Sequence, residues 1–297
     1  MQKKKLMLIL NPAAGRGEGV VSLGPVLRIL SNGGYFPTVF FTDAIGDATR
    51  FVKRYGSEYA CITCVGGDGT LSETVAGLAQ IENPPLLGYI PQGTANDVAS
   101  TLGLPRTPTS AAKVVVSGTP TKLDVGKFNE NEYFTYIAAF GAFTDVSYET
   151  TREAKQTLGH FAYVLTGMSR LPKLTYNQAK IEYDGGVIED QFVFGSVSNS
   201  TSVGGGFVKL TDNGVELDDG LFETILIKHP TNLLEMNRIV TSVLSRDYSG
   251  DKVIMLRSKK VKFTFDRPVK WTRDGEAGGA HEEVVCENIN SPIKIMV

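Results

Sequence analysis

The chain has 297 residues, of which 42% are apolar and 21% charged, the proportions of an ordinary globular protein and enough length for two domains of roughly 130–160 residues. A formal net charge of −2 provides no bulk electrostatic footprint for nucleic acid, so nucleic acid is not expected as a partner. No apolar run approaches the ~18–20 residues that span a bilayer, and three cysteines, an odd number, suit a reducing compartment better than a disulfide framework.

The chain opens with Lys3-Lys4-Lys5 and a short apolar stretch, the outline of a signal peptide. The stretch stops at Asn11-Pro12, short of the ~7–15 residues such a core needs. Residues 5–10 are therefore expected to form a buried first strand of a cytoplasmic protein. The loop Asn11-Pro12-Ala13-Ala14-Gly15-Arg16-Gly17 follows it. Its small residues allow close approach of a ligand, and with Asp43 it imitates a dinucleotide fingerprint, although the third glycine is misplaced. Residues 20–31 read as a helix, 37–41 as a strand, 46–55 as a helix and 60–65 as a strand. Cys61 and Cys64 have redox-motif spacing, but on a strand residues three apart point to opposite faces. His160, His229 and His281 show no ligand spacing.

The strand over 60–65 runs into Gly66-Gly67-Asp68-Gly69-Thr70 and then a helix over 71–80. Glycines let a phosphate touch backbone amides, and a helix start adds unpaired N–H groups with partial positive charge. An aspartate in a phosphate turn repels its ligand unless a cation bridges them or the carboxylate accepts a proton, and magnesium suits the first role. A bare Gly-Gly-x-Gly fits an ordinary strand-to-helix turn equally well. A strand over 86–90 then leads into Pro91-Gln92-Gly93-Thr94-Ala95-Asn96-Asp97. Here Thr94 either caps a helix over 94–102 or meets a phosphate. With a further helix over 110–116, the alternation specifies a parallel sheet with ligands at the carboxyl ends of its strands. No Gly-x-x-x-x-Gly-Lys-Ser/Thr loop occurs.

Beyond Thr121 the pattern turns to strands, over 132–139, 178–183, 190–198, 220–227 and 261–265. One helix-like interruption spans 154–171, with Leu158, Phe161, Leu165, Met168 and Leu171 on one stripe. Arg152, Lys155, Arg170 and Lys173 flank it, so it suits either a membrane surface or the core of a sandwich. Glu216-Leu217-Asp218-Asp219-Gly220-Leu221 gathers carboxylates at a tight turn, either as a magnesium site or as a solvated acidic turn. Asp274-Gly275-Glu276 places a carboxylate just past another turn. Glu276 is a candidate base there, with a solvated hairpin tip as the bland alternative.

In chain order, these segments resemble the diacylglycerol kinase catalytic-domain superfamily, bacterial lipid kinases related to sphingosine kinases. The residues that carry the resemblance are Asn11-Pro12-x-x-Gly15, the 66–70 pentapeptide, Pro91-x-Gly93-Thr94-x-Asn96-Asp97 and the strand ending at Asp124. Ala138, Ala139, Gly141 and Ala142 around Phe140 continue it, with Leu158-Gly159-x-x-Ala162-Tyr163, Asp219-Gly220 and Asp274-Gly275-Glu276. The resemblance implies an α/β plus all-β chain. A parallel-sheet nucleotide domain like those of phosphofructokinases and NAD kinases would cover 1–124, and a β-sandwich 125–297, with the last strand free to return to the first domain. The active site is then expected between them.

The resemblance further implies ATP lying across Asn11, Pro12, Ala13, Ala14, Gly15, Thr42, Gly66, Gly67, Asp68, Gly69, Thr70, Glu73 and Thr94. Mg²⁺ would bridge its phosphates, with Asp68, Asp97 and Asp124 acting through water. Glu276 would take the proton of a lipid hydroxyl, and Glu216, Asp219 and the carbonyl of Leu221 would hold a second, structural magnesium. The implied reaction is ATP-dependent conversion of diacylglycerol to phosphatidate by a protein in transient peripheral contact with the membrane; a homodimer is admissible. Sphingoid bases or polyprenols are the alternative acceptors, followed by an NAD kinase or a non-enzymatic lipid- or nucleotide-binding module. After Gly204-Gly205-Gly206, many relatives carry a proline where this chain reads Phe207-Val208-Lys209-Leu210-Thr211, which leaves the acceptor open.

Overall fold

The computed structural model describes residues 3–141, 175–199, 202–203, 208–209, 219–245, 247–290 and 292–297. The expected helix over 154–171 with its basic flanks, the 204–207 turn and Glu216 lie outside the described residues. The chain divides into two compact units, Met1–Val125 with Asn290–Val297, and Gly126–Ile289.

In the first unit, β1 (Lys4–Leu10) runs parallel to both β2 (Tyr35–Phe41) and β3 (Cys61–Gly66), and β3 runs parallel to β4 (Leu86–Pro91). The sheet order is β2-β1-β3-β4, extended by the C-terminal strand β17 (Lys294–Met296) and then β5 (Pro120–Lys122). Residues 6 to 10 of β1 are all 0% exposed, as an unbroken apolar run requires in a strand covered on both faces. Leu6, Leu8 and Leu10 meet Val26 and Leu30 of α2 (Leu23–Asn32) and Val115 of α6 (Pro108–Ser117). Each such leucine contributes roughly 1.5–3 kcal/mol by leaving water. The remaining helices are a single turn, α1 (Glu18–Val21), the mutually packed α3 (Asp47–Tyr55) and α4 (Asp68–Leu78), and α5 (Asp97–Thr101).

The expected helix starts are each shifted by one to three residues, and two of the shifts have an identifiable local cause. The first long helix begins at Leu23, not at residue 20, with Pro25 in its first turn, where a missing N–H costs nothing. The helix expected from residue 94 begins at Asp97 behind Asn96, which is left-handed at φ +53°. Thr94 is thus an exposed loop residue and does not cap the helix.

The second unit is an antiparallel sandwich. Its strands include β6 (Gly126–Phe128), β7 (Glu132–Phe134), β8 (Ile137–Gly141), β9 (Asn177–Tyr183), β10 (Gly186–Ser198), β13 (Phe222–Lys228), β14 (Val253–Ser258), β15 (Lys260–Arg273) and β16 (Glu276–Asn288). The path runs β14-β13-β10-β8-β15-β16-β6-β7, and β9 pairs with both β10 and β15. A separate short pair is formed by β11 (Ser202–Val203) and β12 (Val208–Lys209). The long strands β10 and β15 each pair with β9 in their first half and β8 in their second, and the switch falls at register shifts. In β15 the shift lies between Thr264 and Val269, around Pro268, which has no N–H to lose. Phe140, Phe263 and Phe265 surround Trp271 at ring separations of 4.9, 5.1 and 6.2 Å. The helix α7 (Leu233–Ser245) buries Met236, Ile239 and Val243.

Candidate functional site

The loops that leave β1, β2, β3 and β4 at their carboxyl ends are tied to one another. Asn11 Nδ2 donates to Thr70 Oγ1 at 3.1 Å, while Asn11 Oδ1 accepts the Ala13 N–H at 2.9 Å. The first loop is thereby shaped and fixed to the pentapeptide in one residue. Gly15 is left-handed at φ +56°, and a Cβ there would lie 2.4 Å from the Gln92 carbonyl oxygen. Gln92 N–H donates to the Gly66 carbonyl at 2.7 Å, joining the pentapeptide to the loop after β4. Between those two loops the backbones nearly touch, for a Cβ on Gly93 would stand 2.6 Å from Gly67 Cα. Only glycine permits that approach.

Asp68 is the first residue of α4, half-buried, and its Oδ1 accepts the Val98 N–H of α5 at 3.5 Å. Asp97, 2% exposed, opens α5 itself. Both carboxylates act on Tyr89, whose hydroxyl is held far above its ordinary range by burial, with Asp68, Cys64 and Asp97 adding to the shift. Asn96, named from the sequence as part of the 91–97 motif, locks this loop. Its Oδ1 accepts the Gly93 N–H at 2.8 Å and its Nδ2 returns a bond to the Gly93 carbonyl at 2.8 Å. The left-handed backbone that asparagine tolerates was the available signal. Beside it lies an open pocket lined by Asn96, Ala99, Ser100, Leu104 and Arg106.

Thr42 is buried, and its N–H bonds the Leu10 carbonyl at 3.0 Å. Glu73, expected at the nucleotide, holds the turn after Thr42. Its two oxygens accept the N–H groups of Gly46 and Ala48 at 2.9 and 3.2 Å, and its carbonyl accepts the Thr49 hydroxyl at 2.8 Å. Asp47 braces the same turn, its carboxyl held below the usual range by the N–H groups of Asp43 and Ala44. Asp124 is fully buried just after β5. Among the described residues, no three His, Cys, Asp or Glu side chains converge as a metal cluster.

In the second unit, Asp219 Oδ1 accepts the Leu221 N–H at 2.8 Å, and its other oxygen pairs with the Arg257 guanidinium. Arg257 also bonds Glu223 at 3.1 Å. Glu223 is 1% exposed, and burial raises its carboxyl to about 7 against the pull of Arg257. The sequence reading missed Glu223, because its burial depends on β13 lying inside the sheet. Glu276 is exposed as the first residue of β16, whereas Asp274 beside it is buried. Cys61 and Cys64 are free and buried, their thiols pushed up to about 11 and about 12 by burial. They remain protonated and inert at neutral pH.

Residues 5–128 match the family model described as diacylglycerol kinase catalytic domain, and residues 139–293 match that of the YegS C-terminal NAD kinase beta sandwich-like domain. A protein named diacylglycerol kinase from Bacillus subtilis (strain 168) is 37% identical over 279 residues, covering 93% of this chain and 91% of that protein. One of the same name from Staphylococcus aureus (strain MRSA252) is 37% identical over 281 residues, covering 93% and 87%. A crystal structure of a diacylglycerol kinase from Bacillus anthracis str. Sterne superimposes with a TM-score of 0.80 at 27% identity, covering 100% of this chain and 98% of that one.

Proposed function

This chain belongs to the diacylglycerol kinase catalytic-domain family of lipid kinases, and on that premise we propose that it transfers the γ-phosphate of ATP to the free hydroxyl of diacylglycerol, giving phosphatidate. The observation that carries this reading is the knot of four strand-to-helix loops around Gly66, Gly67 and Asp68, closed by the bonds from Asn11, Gln92 and Glu73. Phosphoryl transfer needs mainly positioning and neutralisation of charge. Backbone amides at a helix start, kept bare of side chains by glycine, can supply both to a triphosphate.

Magnesium fits this set through oxygen donors: it takes one or two carboxylates together with substrate phosphates and keeps several waters. Asp68, with Asp97 beside the same tyrosine, offers that pair, and Asp124 is a further candidate acting through water. When bound, the ion would neutralise charge on the phosphate oxygens. The γ-phosphorus gains a bond to the lipid oxygen and loses its bond to the β–γ bridging oxygen, so that ADP departs. The proton of the hydroxyl goes to Glu276. A second magnesium at Glu216, Asp219 and the Leu221 carbonyl would compete with Arg257 for Asp219.

Among the described residues no helix is long and apolar enough to cross a membrane. Contact with the lipid surface is accordingly proposed as peripheral and reversible, from the cytoplasmic side. The test offers diacylglycerol, sphingosine, undecaprenol and NAD with labelled ATP in parallel. Label in phosphatidate well above the other products supports the reading, and label confined to NADP contradicts it.

A further inference from the structure

The hairpin between β15 and β16 turns on Asp274 at φ +47° and Gly275 at φ +82°, two left-handed residues that together make a type I′ turn. Glu276 pairs across it with Arg273, so whatever fixes this tip also fixes Glu276. Asp-Gly closes such a turn unaided and is at home in water. Here, however, Asp274 is 5% exposed. Its Oδ2 accepts the Thr135 N–H at 2.7 Å, and its Oδ1 accepts those of Tyr136 and Ile137 at 3.0 and 3.1 Å. Its own N–H donates to the Ile137 carbonyl at 2.8 Å.

These three amides fall at the interruption between β7 and β8, where the carboxylate takes the place of a strand partner. Arg273 anchors the other side of the tip. It donates to Glu132 Oε1 at 2.7 Å and the Tyr133 carbonyl at 3.5 Å, with its guanidinium 5.4 Å above the Phe128 ring. A buried carboxylate is tolerated only when fully hydrogen-bonded, so this is a stiff attachment at one point. Glu276, next but one along the chain, remains exposed.

We propose that Asp274 is a positioning residue for phosphoryl transfer: its carboxylate, by taking the three amides of residues 135–137, sets the hairpin tip and thereby the place of the Glu276 carboxylate. The proposal rests on the reading of Glu276 as the base. Asp274→Asn puts an NH₂ group against N–H donors that it cannot accept from.

The experiment measures kcat, KM for ATP and hydrogen exchange at amides 135–137 in Asp274→Asn, Glu276→Gln and the double variant. Faster exchange at those amides and a fall in kcat of ~10²-fold are expected of Asp274→Asn, because misplacing a reacting group by about 1 Å costs that much. KM for ATP should stay within about twofold. In the Glu276→Gln background the same change should cost almost nothing further, since no base is left to place. Should Asp274→Asn fail to fold, Gly275→Ala carries the same test. It keeps the carboxylate but strains a left-handed position, and its kcat should drop about tenfold only while Glu276 is present.

A folded Asp274→Asn with normal kcat beside an impaired Glu276→Gln overturns the proposal alone, as does an equal loss in both backgrounds. A Glu276→Gln enzyme that turns over like the wild type removes the base reading and the proposal together.

Discussion

Glu276 and Asp274 stand two residues apart and differ in almost every physical respect, one exposed and one buried under three amides. If Glu276 takes the proton, Glu276→Gln should lower kcat by roughly 10²–10⁴ while ATP affinity, measured by calorimetry, stays unchanged. A collapse of ATP binding with kcat preserved would give Glu276 a nucleotide role instead. The turn at Gly66, Gly67 and Asp68 was legible because its signals are local: glycines, an acid and a helix start share one short segment. Asp274 was legible only as part of a turn, since its partners lie some 138 residues away in sequence. Asn96 was legible as a motif residue but not as the cap, because an exposed Thr94 two positions earlier offered the commoner kind of cap. Glu73 shows the converse, a residue carried over by resemblance whose carboxylate is bound to the amides of Gly46 and Ala48.

The strands β1 to β4 and the main helices around them were readable from alternating periodicity, with boundaries shifted by up to three residues, whereas the short β5 and β17 carry no such pattern. In the second unit β16 was missed, since Glu276, Ala277, Gly278, Gly279 and Ala280 have little intrinsic preference for a strand and pair only because β15 lies beside them. The helix α7 also went unnamed, although Met236, Ile239 and Val243 repeat at helical spacing. Its start is well built. Asn232 Oδ1 accepts the Glu235 N–H at 2.9 Å, and Glu235 reaches back to the Thr231 N–H at 2.8 Å. Asn232→Ala should therefore cost about 1 kcal/mol in denaturant unfolding, and no measurable change would contradict the capping role. Glu235 titrates near 2, lowered first by the Thr231 N–H and then by Lys252. Because the folded value is depressed, its stabilising contribution is present above the unfolded value and is lost as pH falls through the folded one.

At the scale of the whole molecule, the change from alternating strands and helices to strands alone showed two kinds of architecture in one chain. The sheet path was not legible: β10 and β15 change partners midway, and that depends on bulges and on packing around Trp271, not on any local pattern. The second magnesium proposed above would bear on stability as much as on activity. A cation that binds only the folded chain adds RT ln(1 + [Mg²⁺]/Kd), about 2.7 kcal/mol at a hundredfold excess over Kd. Melting temperature should then rise with magnesium, and rise further in Arg257→Ala, where Asp219 loses its competing guanidinium. Melting curves indifferent to magnesium and to chelation in both proteins would exclude the site. The most direct test of the proposal that these loops hold ATP is the rate of γ-phosphoryl transfer to diacylglycerol by Asp68→Ala, compared with the wild type at equal melting temperature and saturating magnesium. The expected result is a fall of at least ~10²–10³ to no detectable phosphatidate, and near-normal turnover by a folded Asp68→Ala protein would contradict it.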